Sequence, residues 1–249
     1  MARPRPACAA RLAGLSVFLP CHNEEGNIER VVAGMLAELP RIAERRQIII
    51  VDDGSRDRTG EIADKMAADP QVRVIHHTTN RGYGGAVISG ISAASEPWIL
   101  LCDGDGQFDP ADLGKMAALA PEYDVIVGRR VRRADHLGRR LNGWAWTFLM
   151  RALFGIRISD IDCGFKLFRR ELINSRELRA RGAMISAELM ARMAGRGARI
   201  VEVDVNHLPR QSGEQSGASL KVILRAFREL GALYRDLRHE NNREVEKDQ

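Results

Sequence analysis

Apolar residues along the first half of the chain follow two alternating rhythms. Short, nearly continuous apolar runs at residues 15–20, 47–52, 72–76, 98–103 and 123–128 read as buried β-strands. Between them, residues 27–39, 58–68, 84–94 and 110–120 carry apolar side chains at helical spacing with polar ones opposite. Alternation of this kind predicts an α/β fold with a mostly parallel, Rossmann-like sheet flanked by helices. One more strand is expected at 200–205. Towards the end, Leu220, Ile223, Leu224, Phe227, Leu230, Leu233, Tyr234 and Leu237 recur at helical spacing, with Lys221, Arg225, Arg228, Arg235 and Arg238 among them. They predict a C-terminal basic amphipathic helix over 218–240. The chain then divides into a flexible N-terminus (1–13), a single domain (14–217) with halves at 14–128 and 129–217, that helix, and a flexible tail (241–249).

Parallel α/β sheets bind ligands beyond the carboxyl ends of their strands. Three of the predicted strands end in polar clusters: Pro20-Cys-His-Asn23-Glu24-Glu25, Asp52-Asp53-Gly54-Ser55 and Asp103-Gly104-Asp105-Gly106-Gln107. Asp103 and Asp105 can share one hard divalent cation, Mg²⁺ or Mn²⁺, which prefers oxygen ligands and reaches a protein through one or two carboxylates plus substrate phosphates. Gln107 adds a neutral oxygen, and Gly104 and Gly106 allow the tight turn. Asp52 or Asp53 can accept from a nucleobase N–H or support the metal; a strand-end turn capped by Ser55 or Asp57 is the structural alternative. Asn23 and Glu24 either cap the first helix or touch ribose and base. Asn80-Arg-Gly82-Tyr-Gly84-Gly85 invites comparison with a dinucleotide-binding fingerprint, but Val87 replaces the third glycine and the segment follows the third strand, which excludes hydride transfer. Gly82 instead suits close approach of the backbone to a nucleotide, or helix packing.

Composition narrows the partners. A chain of 249 residues builds one large core, and a net charge of +5 suits an anionic membrane, a polyphosphate ligand or simply a solvated basic surface. The basic residues are not interleaved with exposed aromatics, so no nucleic-acid partner is expected. Cys8, Cys21, Cys102 and Cys163 lie far apart without zinc-ligand spacing, and Cys102 and Cys163 read as small buried hydrophobes in a reducing cytoplasm. There is no secretory-leader pattern and no run of about 18 apolar residues. Residues 144–156 are apolar but short and interrupted by Arg151, so they can lie on a membrane without crossing it.

Taken together, these stretches resemble family 2 glycosyltransferases of the GT-A fold, above all the dolichol-phosphate (polyprenyl-phosphate) mannose or glucose synthases. The resemblance runs from about residue 15 to 225 and also takes in Val127-Gly-Arg-Arg, Asp160-Ile-Asp-Cys-Gly-Phe-Lys and His207-Leu-Pro-Arg-Gln-Ser-Gly. It implies transfer of a hexose, with inversion, from a GDP-mannose or UDP-glucose type donor to a lipid phosphate. By the same resemblance, Pro20, Asn23, Glu24, Asp52, Asp53, Gly82 and Asp103 bind the nucleotide sugar. Asp103, Asp105 and Gln107 hold the metal, and Arg129, Arg139, Arg140, Arg210 and Ser216 hold the acceptor phosphate. Asp105, Arg129 and Arg210 carry catalysis. A phosphate nucleophile is already anionic at neutral pH, so it needs arginines more than a base. A hydroxyl acceptor would need a carboxylate base, with Asp160 or Asp162 the candidates; nucleotidyl transfer is a further alternative sharing the sheet and metal. His22 stands where the family often has Tyr, and the C-terminal membrane helices of many relatives are missing from this sequence. The expected location is cytoplasmic, peripheral on the inner face of the cell membrane. The apolar stripe of the last helix lies on lipid, on the domain, or on a second copy in a homo-oligomer. His207 reads as a loop anchor, and Glu188 as a support for the site or the partner of an arginine, with a catalytic carboxylate as the alternative.

Overall fold

The computed structural model describes residues 11–131, 151, 153–156, 158–210, 230, 231, 233 and 235. In chain order the main elements are β1 (Leu12–Cys21), α1 (Ile28–Ile42), β2 (Ala43–Asp52), α2 (Thr59–Met66), β3 (Val72–His76), α3 (Tyr83–Ala93), β4 (Trp98–Cys102), α4 (Leu113–Ala117), β5 (Val125–Val131), β6 (Phe165–Arg169), α5 (Met184–Gly195) and β7 (Ile200–Asn206). The strands form one sheet in the order β3-β2-β1-β4-β6-β5-β7. Only β6 runs antiparallel, against both β4 and β5, so the other six strands point one way.

The sequence explains this arrangement. A sheet covered on both faces needs strands that are apolar throughout. Ile48–Val51, Ile99–Leu101 and Val125–Val127 are accordingly fully enclosed. Each such side chain contributes about 1.5–3 kcal/mol by leaving water. Successive strands β1, β2 and β3 step outward, and the chain then jumps back across β1 to place β4 on its other side. Right-handed crossovers therefore put α3 on the face opposite α1 and α2. Gly90 of α3 packs directly on the Phe18 ring, where a side chain would collide. Reversal of strand order between β1 and β4 leaves a crevice at their carboxyl ends, the place where such sheets take ligands.

The elements differ from expectation in instructive ways. Leu12 and Ala13, expected in the flexible N-terminus, already belong to β1, with Leu12 buried opposite Ala43. Strand β2 begins four residues earlier than its apolar run, because Ala43, Arg45 and Arg46 pair with β1 although the two arginine side chains remain at least partly exposed. Helix α1 continues through Pro40 to Ile42, since Leu39 and Ile42 are both buried. Residues 110–120 form a short 3₁₀ turn at Pro110–Asp112 followed by α4, not one helix. The strand β6 was not anticipated. The C-terminal basic helix and residues 144–150 fall almost wholly outside the described residues.

Candidate active site

The carboxyl edge of the sheet gathers the polar clusters as the parallel topology requires. At the end of β1, Asn23 adopts the left-handed region (φ 57°) and the segment is stitched to the turn after β2. The Asn23 amide donates to Ser55 Oγ (3.0 Å), Asn23 Oδ1 accepts from the Arg56 amide (2.9 Å), and Glu25 exchanges bonds with Asp57 and Arg58. Asn23 thus spends its side chain on the fold rather than capping α1. Glu24 is buried, and its carboxylate accepts from Asn27 Nδ2 (2.7 Å) and Arg210 Nη2 (2.5 Å). Burial raises its pKa against those two donors. Pro20 lies inside β1, its carbonyl receiving the Gly104 amide.

Asp52 and Asp53 each meet a histidine that the sequence reading did not single out. Asp52 Oδ2 lies 3.0 Å from His76 Nδ1, and His76 Nε2 lies 2.8 Å from Asp64 Oδ1. Asp53 Oδ1 pairs with His77 Nδ1 (2.6 Å) and takes the Arg81 amide (2.8 Å), while His77 Nε2 meets Ser89 Oγ (2.9 Å). His76 ends β3 and Asp52 ends β2, each followed by the second residue of its pair, so strand register brings the two pairs together. That register, Asp52 opposite His76, is the signal that could have found them. Asp64 and Asp52 hold the His76 pKa above its usual value. For Asp52 burial pushes upward, but the bonds from Ser55 and His76 outweigh it and its pKa is lowered.

Beyond β4, Asp103 Oδ1 accepts the Tyr83 hydroxyl (2.8 Å), and the Asp103 amide donates to the Gly164 carbonyl (3.1 Å). Asp105 Oδ1 accepts the Gln107 amide (3.0 Å), in a turn that Gly106 closes at φ 71°. Burial first, and the neighbouring Asp105 charge second, lift the Asp103 pKa to about 7. A divalent cation shared by the two carboxylates relieves that repulsion, so the pair fits Mg²⁺ or Mn²⁺ completed by phosphate oxygens. Among the described residues no group of three or more His, Cys, Asp or Glu side chains forms a metal cage. Gln107 directs its amide to the Leu208 carbonyl (3.2 Å), and the Leu208 amide returns to the Gln107 carbonyl (2.8 Å). Through that pairing, and the Phe108–His207 bridge, the segment after β7 docks on the acid turn. His207 is a loop anchor, packed edge-on against Phe108, which itself stacks on Phe165 at 5.2 Å. Arg210 follows, bridging Glu24 and, at 3.8 Å, Asp105 Oδ2.

The second half contributes less directly. Arg129 is exposed and pairs with Asp204 across β5 and β7 (2.6 Å). Alternation along the strand turns Arg130 the other way, into a two-pronged bond with buried Asp160 (2.8 and 2.7 Å). Lys166 is fully enclosed behind the acids and donates to the Cys163 carbonyl; burial lowers its pKa. Cys21, Cys102 and Cys163 are buried thiols whose pKa values burial pushes up. Glu188 accepts from the Arg179 and Ala180 amides and from Arg192 Nε, a wholly structural set. The loop it grips sets its carbonyls against Gly82 (2.6 Å from a side chain placed there) and Gly84, so these glycines admit protein backbone. Arg139, Arg140 and Ser216 lie outside the described residues. A cavity of about 590 Å³, lined by Ile91, Pro97, Arg169, Arg170 and Asn174, opens at the opposite edge of the sheet, away from every strand-end acid.

A mostly parallel sheet with acids gathered at its topological switch point defines an α/β protein whose ligand crevice lies at those strand ends. The chain belongs to glycosyl transferase family 2, whose profile matches residues 16–176. It is 30% identical over 209 residues to the undecaprenyl-phosphate mannosyltransferase of Micrococcus luteus, covering 79% of this chain and 84% of that one. It is 29% identical over 215 residues to the undecaprenyl-phosphate 4-deoxy-4-formamido-L-arabinose transferase of Pectobacterium atrosepticum; the match takes in 85% of this chain but only 65% of that relative's length. The fold is that of glucosyl-3-phosphoglycerate synthase from Mycobacterium tuberculosis, solved with Mn²⁺, UDP and phosphoglyceric acid (TM-score 0.64, 21% identity, 95% of this chain and 81% of that one). The expected GT-A architecture is therefore present.

Proposed function

We propose that the protein transfers a hexose from a nucleoside-diphosphate sugar to a polyprenyl phosphate, working peripherally at the cytoplasmic face of a membrane. The observation that carries this reading is the Asp103–Asp105 pair at the switch point, faced by Arg210, with Asp52 and Asp53 on the neighbouring strand ends. The relatives' names, both of them transferases to undecaprenyl phosphate, supply the acceptor class. Asp103 and Asp105 would hold a divalent cation that neutralises the donor diphosphate. An oxygen of the acceptor phosphate attacks the anomeric carbon as the bond to the diphosphate breaks, so no proton needs removal from the nucleophile. Arg210 already lies between Glu24 and Asp105, and an incoming phosphate offers its guanidinium a further anionic partner. Asp160 is committed to Arg130, which argues against its service as a base for a hydroxyl acceptor. No helix among the described residues is long and apolar enough to cross a membrane, and attachment is assigned to the basic segment at 218–240.

The test is product analysis. Protein, Mn²⁺ and undecaprenyl phosphate in detergent are incubated with GDP-mannose or UDP-glucose labelled separately in sugar and nucleotide. Sugar label alone is expected in the lipid extract. Nucleotide label in lipid would mean nucleotidyl transfer, and sugar label only on water-soluble acceptors would replace the lipid with a hydroxyl compound.

A further inference from the structure

Tyr83 is the first residue of α3, yet its hydroxyl reaches the acid turn beyond β4 and donates to Asp103 Oδ1 at 2.8 Å. On the other side of the same carboxylate stands Gly164, where any side chain would run into Asp103 Oδ2. Asp103 is therefore confined between a phenol and a backbone wall. The position of Tyr83 is itself fixed from behind. The Gly84 amide donates to the Arg181 carbonyl (3.0 Å), and Gly82 and Gly84 leave room for the Ala180 and Arg181 carbonyls to close on the start of α3. That loop is held by Glu188, which takes the Arg179 and Ala180 amides and is charge-paired with buried Arg192 at 3.0 Å. A continuous chain of contacts thus runs from α5 through the loop and the start of α3 to a single carboxylate oxygen.

We infer that Tyr83 is a positioning residue for the divalent-cation site, presetting the Asp103 carboxylate through its hydroxyl, with the Glu188-held loop as its support. The inference rests on the metal assignment made above. It explains why a large aromatic at the start of the helix is flanked by Gly82 and Gly84: these glycines admit the supporting loop and the aromatic spans to the next strand's acid. A preset ligand lowers the cost of ordering the site when the ion arrives with the donor. The hydroxyl is not a ligand in this scheme and takes no part in the transfer.

The experiment compares the unaltered protein with Tyr83→Phe, which keeps the ring and removes only the hydroxyl. Mn²⁺ binding is followed by electron paramagnetic resonance with GDP, then UDP, present and no lipid acceptor. Loss of one hydrogen bond to a charged group predicts Mn²⁺ binding weaker by about tenfold. In turnover assays the Mn²⁺ concentration for half-maximal rate rises in parallel while kcat at saturating Mn²⁺ stays within about twofold. A hydroxyl that serves stability alone would lower Tm and leave Mn²⁺ binding where it was, and that result overturns the inference. If the unaltered protein binds no Mn²⁺ with either nucleotide, the metal assignment itself falls and the inference with it.

Discussion

At the scale of single residues, the site is a set of carboxylates, each held by a specific partner. Asp52 and Asp53 meet histidines, Asp103 a phenol, Glu24 and Asp105 the same arginine. The sequence displayed the acids plainly because they end apolar strands, but it could not display their partners, which come from 20 and 24 residues away or, for Arg210 and Glu24, from 186. Arg129 shows the limit in another way. Two consecutive arginines look alike in a sequence, and only the pleat decides that Arg130 turns towards Asp160 while Arg129 turns outward to Asp204. Arg210 is the residue to test against this background. Arg210→Ala is expected to lower kcat/KM by at least a hundredfold, and Arg210→Lys to restore only part of it, since a point charge cannot serve two anions as a planar fork does. Glu188→Gln, which keeps the loop contacts in part, is expected to lower Tm more than it lowers kcat. Steady-state rates with lipid phosphate, beside thermal unfolding of each variant, check the ranking; normal turnover in Arg210→Ala would remove Arg210 from the machinery.

At the scale of elements, the parallel strands were legible and β6 was not. Five residues, Phe165–Arg169, sit within a stretch whose acids, glycine and lysine draw attention to chemistry rather than to pairing. Their strand character comes from filling the gap between β4 and β5, a demand set by the rest of the sheet and absent from local pattern. The glycine-rich start of α3 was legible as a place of close approach, and the approaching group turned out to be the 180–181 backbone. That assignment has a direct consequence for stability. Gly84→Ala drives a methyl group into the Ala180 carbonyl, and overpacking of this kind costs about 1–3 kcal/mol. Gly195→Ala, at the exposed end of α5 with open space around it, is expected to be neutral or stabilising by up to about 1 kcal/mol. Urea unfolding of the two variants decides; equal stabilities would mean that the loop yields at no cost.

At the scale of the whole molecule, charge distribution gives the fold a definite response to pH. The Asp103 pKa is raised from 3.8 to about 7, so the stability tied to its protonated form is complete below about pH 4 and is lost as pH rises through 7. His76, raised above 6.5 by Asp64 and Asp52, adds a loss in the same direction at higher pH. Asp124, held well below the usual carboxylate range by Arg199 and Arg169, works oppositely: its contribution is present above about pH 4 and disappears in acid. Metal-free protein is therefore expected to show its highest Tm near pH 4 and a decline from there through pH 7, and Asp103→Asn to flatten that decline. Thermal unfolding in chelator across the range tests both, and a rise in Tm through pH 7 would contradict the assignment. The common direction of six strands has a further consequence, for engineering. It gives the sheet a working rim and a silent one, separated by the length of a five-residue strand, about 17 Å. The turns at 94–97 and 196–199 belong to the silent rim, and Gly197 there has open space where a side chain would stand. A reporter domain or affinity handle spliced into the 196–199 turn hangs behind the sheet, leaving the acid-lined crevice unobstructed.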